Sequence, residues 1–342
     1  MSMPLSTRRP GGWSRETVLI GALATALVAC QSDLSTAPVN PGETLPPSSS
    51  ANPLASFTFY IDQASKARQT ADAWRATRPA DAIQMDKIAS QPMARWFGSW
   101  NSVASVRSEV ASAVAASAGA GRVPVFVAYN IPLRDCGGLS GSNTLTPDDY
   151  RAWIAEFARG LGQSPAVVIL EPDALAAMGC LSSGDQATRV ELIRFALDQI
   201  RGNTGAKVYL DAGHARWQSP ATMASRLIAA GIATAAGFTL NVSNFIGDAD
   251  NLQYGTQLSS LVGGKHFIID SGRNGLGATA DLQWCNPEGR AIGRRPTTST
   301  GNALVDAYLW IKTPGESDGA CNGHPPSGTW MPEYALGLAS RG

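Results

Sequence analysis

The chain has 342 residues, and its 27 basic and 27 acidic side chains give a net charge of zero at pH 7. Charged residues make up only 16% of the chain and form no basic stripe, which excludes a typical nucleic-acid-binding protein. Once the N-terminal region is set aside, about 290 residues remain, a length typical of one α/β barrel domain.

Residues 1–29 have the order of features found in a signal peptide. Arginines among the first sixteen residues precede an apolar run, Val18–Ala29, that is too short to span a bilayer. The run ends in Leu-Val-Ala-Cys, which is similar to a bacterial lipobox. This pattern predicts that Cys30 carries a lipid and begins the mature chain. The alternative is an ordinary secretory signal in which Cys30 is incidental.

Residues 30–52 are rich in Ser, Thr, Pro and Asn and have few large apolar side chains. Such a segment cannot bury enough surface to offset its chain entropy, so we predict a disordered linker. A single folded domain is then expected over residues 53–342. Together these features predict an exported protein, held at the cell surface or outer membrane by its lipid, or otherwise secreted.

Short apolar runs rich in β-branched residues alternate with helical stretches along this domain. Near-continuous apolar strands separated by helices are typical of a parallel sheet covered on its faces, and this number of units indicates a (β/α) barrel. The lack of a G-x-G-x-x-G motif after the first strand argues against a dinucleotide-binding sheet. The predicted strands are Ser56–Tyr60, Val123–Tyr129, Ala166–Leu170, Lys207–Leu210, Gly237–Leu240, His266–Ile269 and Ala307–Ile311. The clearest helical patterns are Asp148–Leu161, Gln186–Arg201 and Pro220–Ala230.

Polar residues stand at or just after the ends of these strands. In a barrel, the carboxyl ends of the strands form the face that carries the active site. Any single aspartate there could instead cap the following helix. Carboxylates dominate the set and a nucleophile elbow is lacking, which indicates carboxylate acid/base chemistry on an uncharged substrate. The residues are Tyr129, Glu171, Asp173, Asp211, Asn241, Asp270 and Lys312.

Four cysteines lie in the predicted domain, namely Cys136, Cys180, Cys285 and Cys321. An even number of cysteines in an exported protein favours disulfides over free thiols. Of the three possible pairings, we favour the one that is local in sequence, Cys136 with Cys180 and Cys285 with Cys321. A zinc site is disfavoured because no two of these cysteines have C-x-x-C spacing and the chain has only three histidines. No metal or cofactor is expected.

Seven segments of the domain carry distinctive motifs, namely Val127–Cys136, Val168–Leu175, Tyr209–Trp217, Asn241–Phe245, Asp270–Gly275, Trp284–Pro287 and Trp310–Gly319. They resemble the signatures of glycoside hydrolase family 6, the cellobiohydrolases and endoglucanases, and within that family the chain is most similar to a bacterial endoglucanase. The resemblance extends from about Asn52 to the C-terminus. It implies a distorted, seven-stranded parallel (β/α) barrel similar to a TIM barrel, and hydrolysis of β-1,4-glucans with inversion at the anomeric carbon.

The resemblance also implies roles for individual residues. Asp173 matches the general acid, a role that needs a carboxyl group with a raised pKa. Asp135 matches the family's second aspartate, whose negative charge would favour the protonated form of Asp173; the alternative is a structural ion pair with Arg134. Tyr129 would crowd the sugar at the cleavage point and favour a distorted ring.

An inverting hydrolase also needs a base on the opposite side of the sugar, with room for a water molecule. Asp318 matches the family's candidate, and the alternative is that it only pairs with Lys312 or Arg273. Further motif matches predict glucosyl-binding residues, because indoles and polar groups suit sugar rings. These are Trp96, His214, Trp217, Asn244, Trp284, Lys312 and Glu316. We interpret Trp100 and Trp310 as core residues.

The mode of attack is expected to be endo. Cys285 and Cys321 are close in sequence and only about twenty residues follow them, which leaves little chain for the roof of a tunnel. We therefore expect a monomer that cleaves internal bonds of β-1,4-glucan oligo- and polysaccharides. A cellobiohydrolase that releases cellobiose is one alternative. The other, from a different class, is a non-catalytic β-glucan-binding lipoprotein.

Overall fold

Seven short parallel strands lie at the centre of the computed structural model, which describes residues 51–139, 141, 145–203 and 205–342. The strands follow one another in chain order across the sheet. The predicted signal peptide, Cys30 and nearly all of the predicted linker lie outside the described residues. The strands are β1 (Arg95–Gly98), β2 (Val125–Tyr129), β3 (Val167–Leu170), β4 (Lys207–Asp211), β5 (Gly237–Leu240), β6 (His266–Asp270) and β7 (Val305–Leu309).

The two edges of this sheet approach each other without pairing along their length. An isolated parallel bridge joins Met93 to Trp310, and the Ala94 N–H donates to the Trp310 carbonyl at 3.0 Å. The indole N–H of Trp96 also donates to the Ile311 carbonyl at 2.8 Å. The sheet is therefore a curled, incompletely closed barrel, which confirms the predicted distorted parallel barrel of seven strands.

Each connection from β1 to β6 contains a helix, and the helix ends follow local sequence signals. Thr146 and Asp149 form a reciprocal capping box at the start of the fourth helix, and Ser219 caps the sixth helix ahead of Pro220. The three predicted helical patterns are confirmed. The helices are α1 (Lys66–Trp74), α2 (Pro79–Ala89), α3 (Val103–Gly119), α4 (Pro147–Leu161), α5 (Ser183–Asn203), α6 (Pro220–Ala229), α7 (Asp248–Leu261) and α8 (Pro332–Arg341). Among the described residues, no helix is both long enough and apolar enough to cross a membrane.

Strand β3 illustrates how the core is divided. All four of its residues are buried, and successive side chains point to opposite faces of the sheet. Val168 and Leu170 belong to the layer between sheet and helices, whereas Val167 and Ile169 fill the inside of the barrel. Burial on both faces explains why the sequence of this strand is continuously apolar rather than alternating.

Two of the predicted strands were wrong in position. Ser56–Tyr60 is not a strand and makes only an isolated bridge from Phe59 to Val123, while the true first strand, Arg95–Gly98, was missed. That strand is only four residues long and begins with an exposed arginine, so its apolar signal is weak. The last strand begins two residues before the prediction, because Asp306 lies inside it. Asp306 is fully buried, and its carboxylate is hydrogen-bonded to the Tyr209 hydroxyl and to the His266 ring.

Both disulfides pair as predicted, Cys136 with Cys180 and Cys285 with Cys321. The first joins the segment after β2 to the segment after β3. The second joins the chain that follows β6 to the chain that follows β7. Each therefore ties together two connections at the carboxyl end of the sheet, where the polar strand ends also lie.

Candidate active site

The carboxyl ends of the strands surround a groove of about 1410 Å³. This exceeds the roughly 300–1,000 Å³ typical of a pocket for a small molecule, so the groove suits an extended ligand. All of the residues predicted to act on or bind substrate line it. They are Trp96, Tyr129, Asp135, Asp173, His214, Trp217, Asn244, Trp284, Lys312, Glu316 and Asp318.

Asp173 stands on a tight turn just after β3. Glu171 and Asp173 both have left-handed backbone conformations, with φ of 49° and 68°. The backbone N–H of Asp173 donates to Asp211 Oδ1 at 2.9 Å. Burial, and then the negative charges of Asp211, Asp135 and Asp318, raise the pKa of Asp173 well above its usual range. This carboxyl group is therefore protonated at a pH where an exposed aspartate is ionised.

Asp211, at the end of β4, accepts a hydrogen bond from this turn. It is buried, and its Oδ1 accepts the N–H groups of Asp173 at 2.9 Å and Gly213 at 3.0 Å. Its Oδ2 accepts the Thr239 hydroxyl at 3.1 Å. Burial raises the pKa of Asp211 to about 7 although these hydrogen bonds act in the opposite direction. Asp211 thus orients the backbone of Asp173 and contributes charge beside it.

A buried carboxylate and a buried guanidinium hold the chain that leads to Asp135. The Glu171 carboxylate accepts the N–H groups of Asn130 at 3.0 Å and Ile131 at 3.1 Å, and burial raises its pKa to about 7. Arg189, on α5, donates from Nη2 to the carbonyls of residues 132 and 133 and from Nη1 to the carbonyl of residue 174. In the sequence, Glu171 is apparent only as a polar strand end, and the only signal for Arg189 is a charge on the buried face of a helix.

Arg134 fixes the other side of the same segment. Its Nη1 donates to the Tyr129 carbonyl at 2.5 Å, and its guanidinium lies 4.3 Å from the centre of the Tyr129 ring. Its Nη2 donates to the Ser99 hydroxyl at 3.3 Å. The Tyr129 ring meets the Trp96 indole edge to face, with ring centres 5.3 Å apart. Tyr129 is thereby held in one orientation at the floor of the groove.

Asp318 is held in a buried ion pair. Its Oδ2 lies 2.8 Å from Arg273 Nη1 and accepts the Asn286 N–H at 3.0 Å, and its own N–H donates to Asn286 Oδ1 at 2.8 Å. The pairing with Arg273 considered above is therefore present. Every hydrogen bond that the described residues make to this carboxylate falls on Oδ2.

Asp270, at the end of β6, has a different environment. Its carboxylate accepts backbone N–H groups from Ser243 at 3.1 Å, Gly272 at 2.9 Å and Lys312 at 2.9 Å. The side chain of Asn241 in turn donates to the Asp270 carbonyl at 2.8 Å. With its oxygens occupied in this way, Asp270 ties three connections together and is not placed for proton transfer.

Side chains suited to sugar rings flank the carboxylates. Trp217 and Trp284 are 39% and 50% exposed although indoles are usually largely buried. His214 lies beside Trp217, with ring centres 5.4 Å apart, and burial lowers its pKa to about 4. It is therefore neutral near pH 7 and can donate and accept hydrogen bonds.

Two further tryptophans, Trp100 and Trp310, are predicted by the sequence analysis to be core residues. Trp310 is 1% exposed and packs in the cluster formed by α1, α2 and α8, as expected. Trp100 is 59% exposed and lines the groove, so the interpretation was wrong for this residue. Sequence alone does not separate the two cases, because an indole is common both in cores and on binding surfaces.

An indole-lined groove with clustered carboxylates at the carboxyl face of a parallel barrel is typical of a glycoside hydrolase. The family model "Glycosyl hydrolases family 6" matches residues 54–342, and the chain belongs to this family. Endoglucanase A of Cellulomonas fimi is 43% identical over 84% of this chain, which spans 62% of that protein's length. Endoglucanase 1 of Streptomyces halstedii is 42% identical, and the match covers 85% of this chain and 91% of the length of that protein.

Among solved structures, the endoglucanase Cel6 of Mycobacterium tuberculosis in complex with methyl-cellobiosyl-4-deoxy-4-thio-β-D-cellobioside is similar to this chain. It is 44% identical, with a TM-score of 0.80, and the match covers 85% of this chain and 99% of that one. Both the sequence match and the structural match thus support the fold and the family.

Proposed function

We propose that the protein is an endo-β-1,4-glucanase that hydrolyses internal glucosidic bonds with inversion. The observation that carries the proposal is Asp173, a carboxyl group with a raised pKa near three other carboxylates in an indole-lined groove. The similar proteins described as endoglucanases, and the thio-oligosaccharide bound to one of them, support this substrate class.

Asp173 acts as the general acid and protonates the glycosidic oxygen as the bond to it breaks. A general acid works best when its pKa lies near the working pH, and burial together with neighbouring negative charge has this effect on a carboxyl group. Asp135, on the segment held by Glu171 and Arg134, supplies part of that charge. Its role is to favour the protonated form of Asp173 between turnovers.

Asp318 acts as the base toward a water molecule through Oδ1. Arg273 and the Asn286 N–H hold Oδ2, which keeps the carboxylate from rotating. An inverting hydrolase needs its base on the face of the sugar opposite the acid, at a separation that leaves room for water. Asp173 follows β3 and Asp318 follows β7, so they come from well-separated strands of the curled sheet.

The indoles and the polar groups around them bind the glucosyl units. Trp96, Trp217 and Trp284 offer flat apolar surfaces to the C–H faces of glucosyl units. His214, Asn244, Glu316 and Lys312 supply hydrogen bonds to hydroxyl groups, with Lys312 Nζ 3.7 Å from Glu316. Tyr129 crowds the sugar at the cleavage point and favours a distorted ring.

An open groove supports the endo mode. Among the described residues, Trp217 and Trp284 are still 39% and 50% exposed, so a long chain can enter from the side rather than be threaded from an end. Viscosity loss of carboxymethylcellulose compared with released reducing ends tests this mode. Rapid viscosity loss is expected, and a slow loss with steady release of cellobiose would identify the cellobiohydrolase instead.

The acid assignment is tested with Asp173→Ala on cellohexaose, with the product anomer followed by NMR. We expect a rate loss of at least about a hundredfold, the lower end for removing a general acid. Asp198→Ala, at a 65% exposed aspartate of α5, is the matched control and should keep the wild-type rate. The first product should be the α-anomer, and a β-anomer would exclude inversion. Wild-type protein that binds cellohexaose but leaves it intact would indicate a non-catalytic binder.

We also propose that the protein is an exported monomer with a lipid on Cys30. Two disulfides fit an oxidising compartment outside the cytosol. Metabolic labelling with a fatty acid should mark the wild-type protein and not Cys30→Ser, which should leave the membrane fraction. Equal labelling of both would exclude this lipid site.

A further inference from the structure

Trp100 lies on the rim of the groove, on the turn that joins β1 to α3. It is 59% exposed, more than any other tryptophan in the described part of the chain. A single exposed apolar side chain is common on protein surfaces and needs no function. The evidence for a function therefore comes from how this indole is held and from what lies along the same rim.

The turn that carries Trp100 is rigid. The Gly98 N–H donates to Asn101 Oδ1 and the Asn101 N–H donates to the Gly98 carbonyl, both at 2.9 Å. Asn101 is buried, its Nδ2 donates to Glu109 at 2.6 Å, and its carbonyl accepts the buried Trp153 indole N–H at 2.8 Å. Glu109 on α3 and Trp153 on α4 thus fix the turn from Gly98 to Asn101, in which the side chain of Trp100 is open to solvent.

The indole itself lies against the backbone of β1. A Cβ atom on Gly98 would stand 2.7 Å from two atoms of the six-membered ring of Trp100 and 2.6 Å from the Tyr129 carbonyl. Glycine at this position therefore lets the ring rest on the strand end. Because the ring is held from one side and 59% of the residue stays exposed, the indole is preorganised to stack on a ligand.

Trp100 is also continuous with the site described above. The sheet runs β1, β2, β3, β4, with neighbouring strands about 4.8 Å apart. Trp100 follows β1, Asp173 follows β3 and Trp217 follows β4, so the two indoles lie on opposite sides of the acid. Arg134 bridges the Ser99 hydroxyl and the Tyr129 carbonyl, which couples the turn to the groove floor.

We propose that Trp100 forms a further glucosyl-binding subsite at the β1 end of the groove. It stacks on a sugar unit of the same β-1,4-glucan chain, beyond the units near the cleavage point. The proposal rests on the proposed function, because it takes the ligand to be that chain. A distal subsite of this kind makes the enzyme prefer long chains over short ones.

The test is Trp100→Ala, assayed as kcat/KM on cellotetraose and cellohexaose. The loss should be greater on cellohexaose, about two- to tenfold, the range for one aromatic stacking contact. Trp100→Phe should recover part of it. The matched control is Ile83→Ala, at a 64% exposed apolar residue outside the groove lining, which should keep the wild-type ratio of the two substrates. Equal losses on both substrates, or none on cellohexaose, would overturn the subsite.

Binding separates this proposal from the proposed function. In an Asp173→Ala background, adding Trp100→Ala should weaken cellohexaose binding by a similar factor and cellotriose binding by less. If wild-type protein cleaved neither oligosaccharide, the proposed function would be wrong. The binding comparison would still show whether Trp100 forms a subsite. Unchanged cellohexaose affinity would refute the role of Trp100 whatever the enzyme's activity.

Discussion

The ion pair between Arg273 and Asp318 leads to a quantitative expectation for stability. Arg273 is 1% exposed, donates to Asp318 at 2.8 Å and to the Ser243 carbonyl at 2.5 Å, and lies 4.3 Å from the centre of the Phe245 ring. Arg273→Met keeps much of the volume but leaves the carboxylate of Asp318 buried without its counter-charge. Removing one partner of a buried ion pair costs about 3–5 kcal/mol.

This loss converts to a measurable change in Tm. A folded domain of about 290 residues has an unfolding entropy of about 0.6 kcal/mol per kelvin, so Arg273→Met should lower Tm by roughly 5–8 °C. Calorimetry at pH 7 with the disulfides intact measures it. The double variant Arg273→Met/Asp318→Asn should recover part of the loss, because the buried charge is then absent.

Arg294 offers a matched control. It too pairs with a carboxylate, Asp248 at 3.4 Å, and lies 4.5 Å from the centre of an aromatic ring, that of Tyr308, but its side chain is 51% exposed. Arg294→Met should therefore cost less than about 1 kcal/mol. The reasoning would be refuted if Arg273→Met lowered Tm no more than Arg294→Met does. It would also be refuted if the double variant were as unstable as Arg273→Met.

Three further outcomes are expected. Asp211→Asn keeps an oxygen for the N–H groups of Asp173 and Gly213 but removes one of the negative charges that, after burial, raise the pKa of Asp173. The alkaline limb of the kcat/KM profile should therefore move to lower pH, and an unmoved limb would contradict this. Cys136→Ser/Cys180→Ser opens a loop of 44 residues and should lower the free energy of unfolding by about 4 kcal/mol in denaturant titrations; an unchanged midpoint would count against it. Burial lowers the pKa of His214 to about 4, so as pH falls the imidazole is protonated in the unfolded chain before it is protonated in the folded one. The folded state therefore loses stability between about pH 6.5 and pH 4. His214→Asn should reduce the fall in Tm over that range, and an equal fall in both proteins would argue against a buried neutral imidazole.

Much of the fold follows from patterns that are local in sequence. Continuous apolar runs identify β3 because a strand buried on both faces has no polar side. The helix starts at α4 and α6 are also local, because Thr146 and Ser219 accept hydrogen bonds from N–H groups only three residues away. Strand β1 was missed because its four residues carry too short a pattern. The resemblance to the family placed the site residues in one groove, since parallel strands end on the same face.

The tertiary structure decided how those residues interact. Asp173 and Asp211 are 38 residues apart, and Arg273 and Asp318 are 45 apart, so neither contact has a local signal. Such contacts depend on how far the sheet curls and on which side chains it brings together. The exposure of Trp100 is of the same kind, because an indole becomes a core residue or a binding surface according to what packs over it. The sequence by itself therefore determined the order of elements and the chemistry at their ends, and only the folded chain decided the pairings, burial and charges that set the pKa of Asp173.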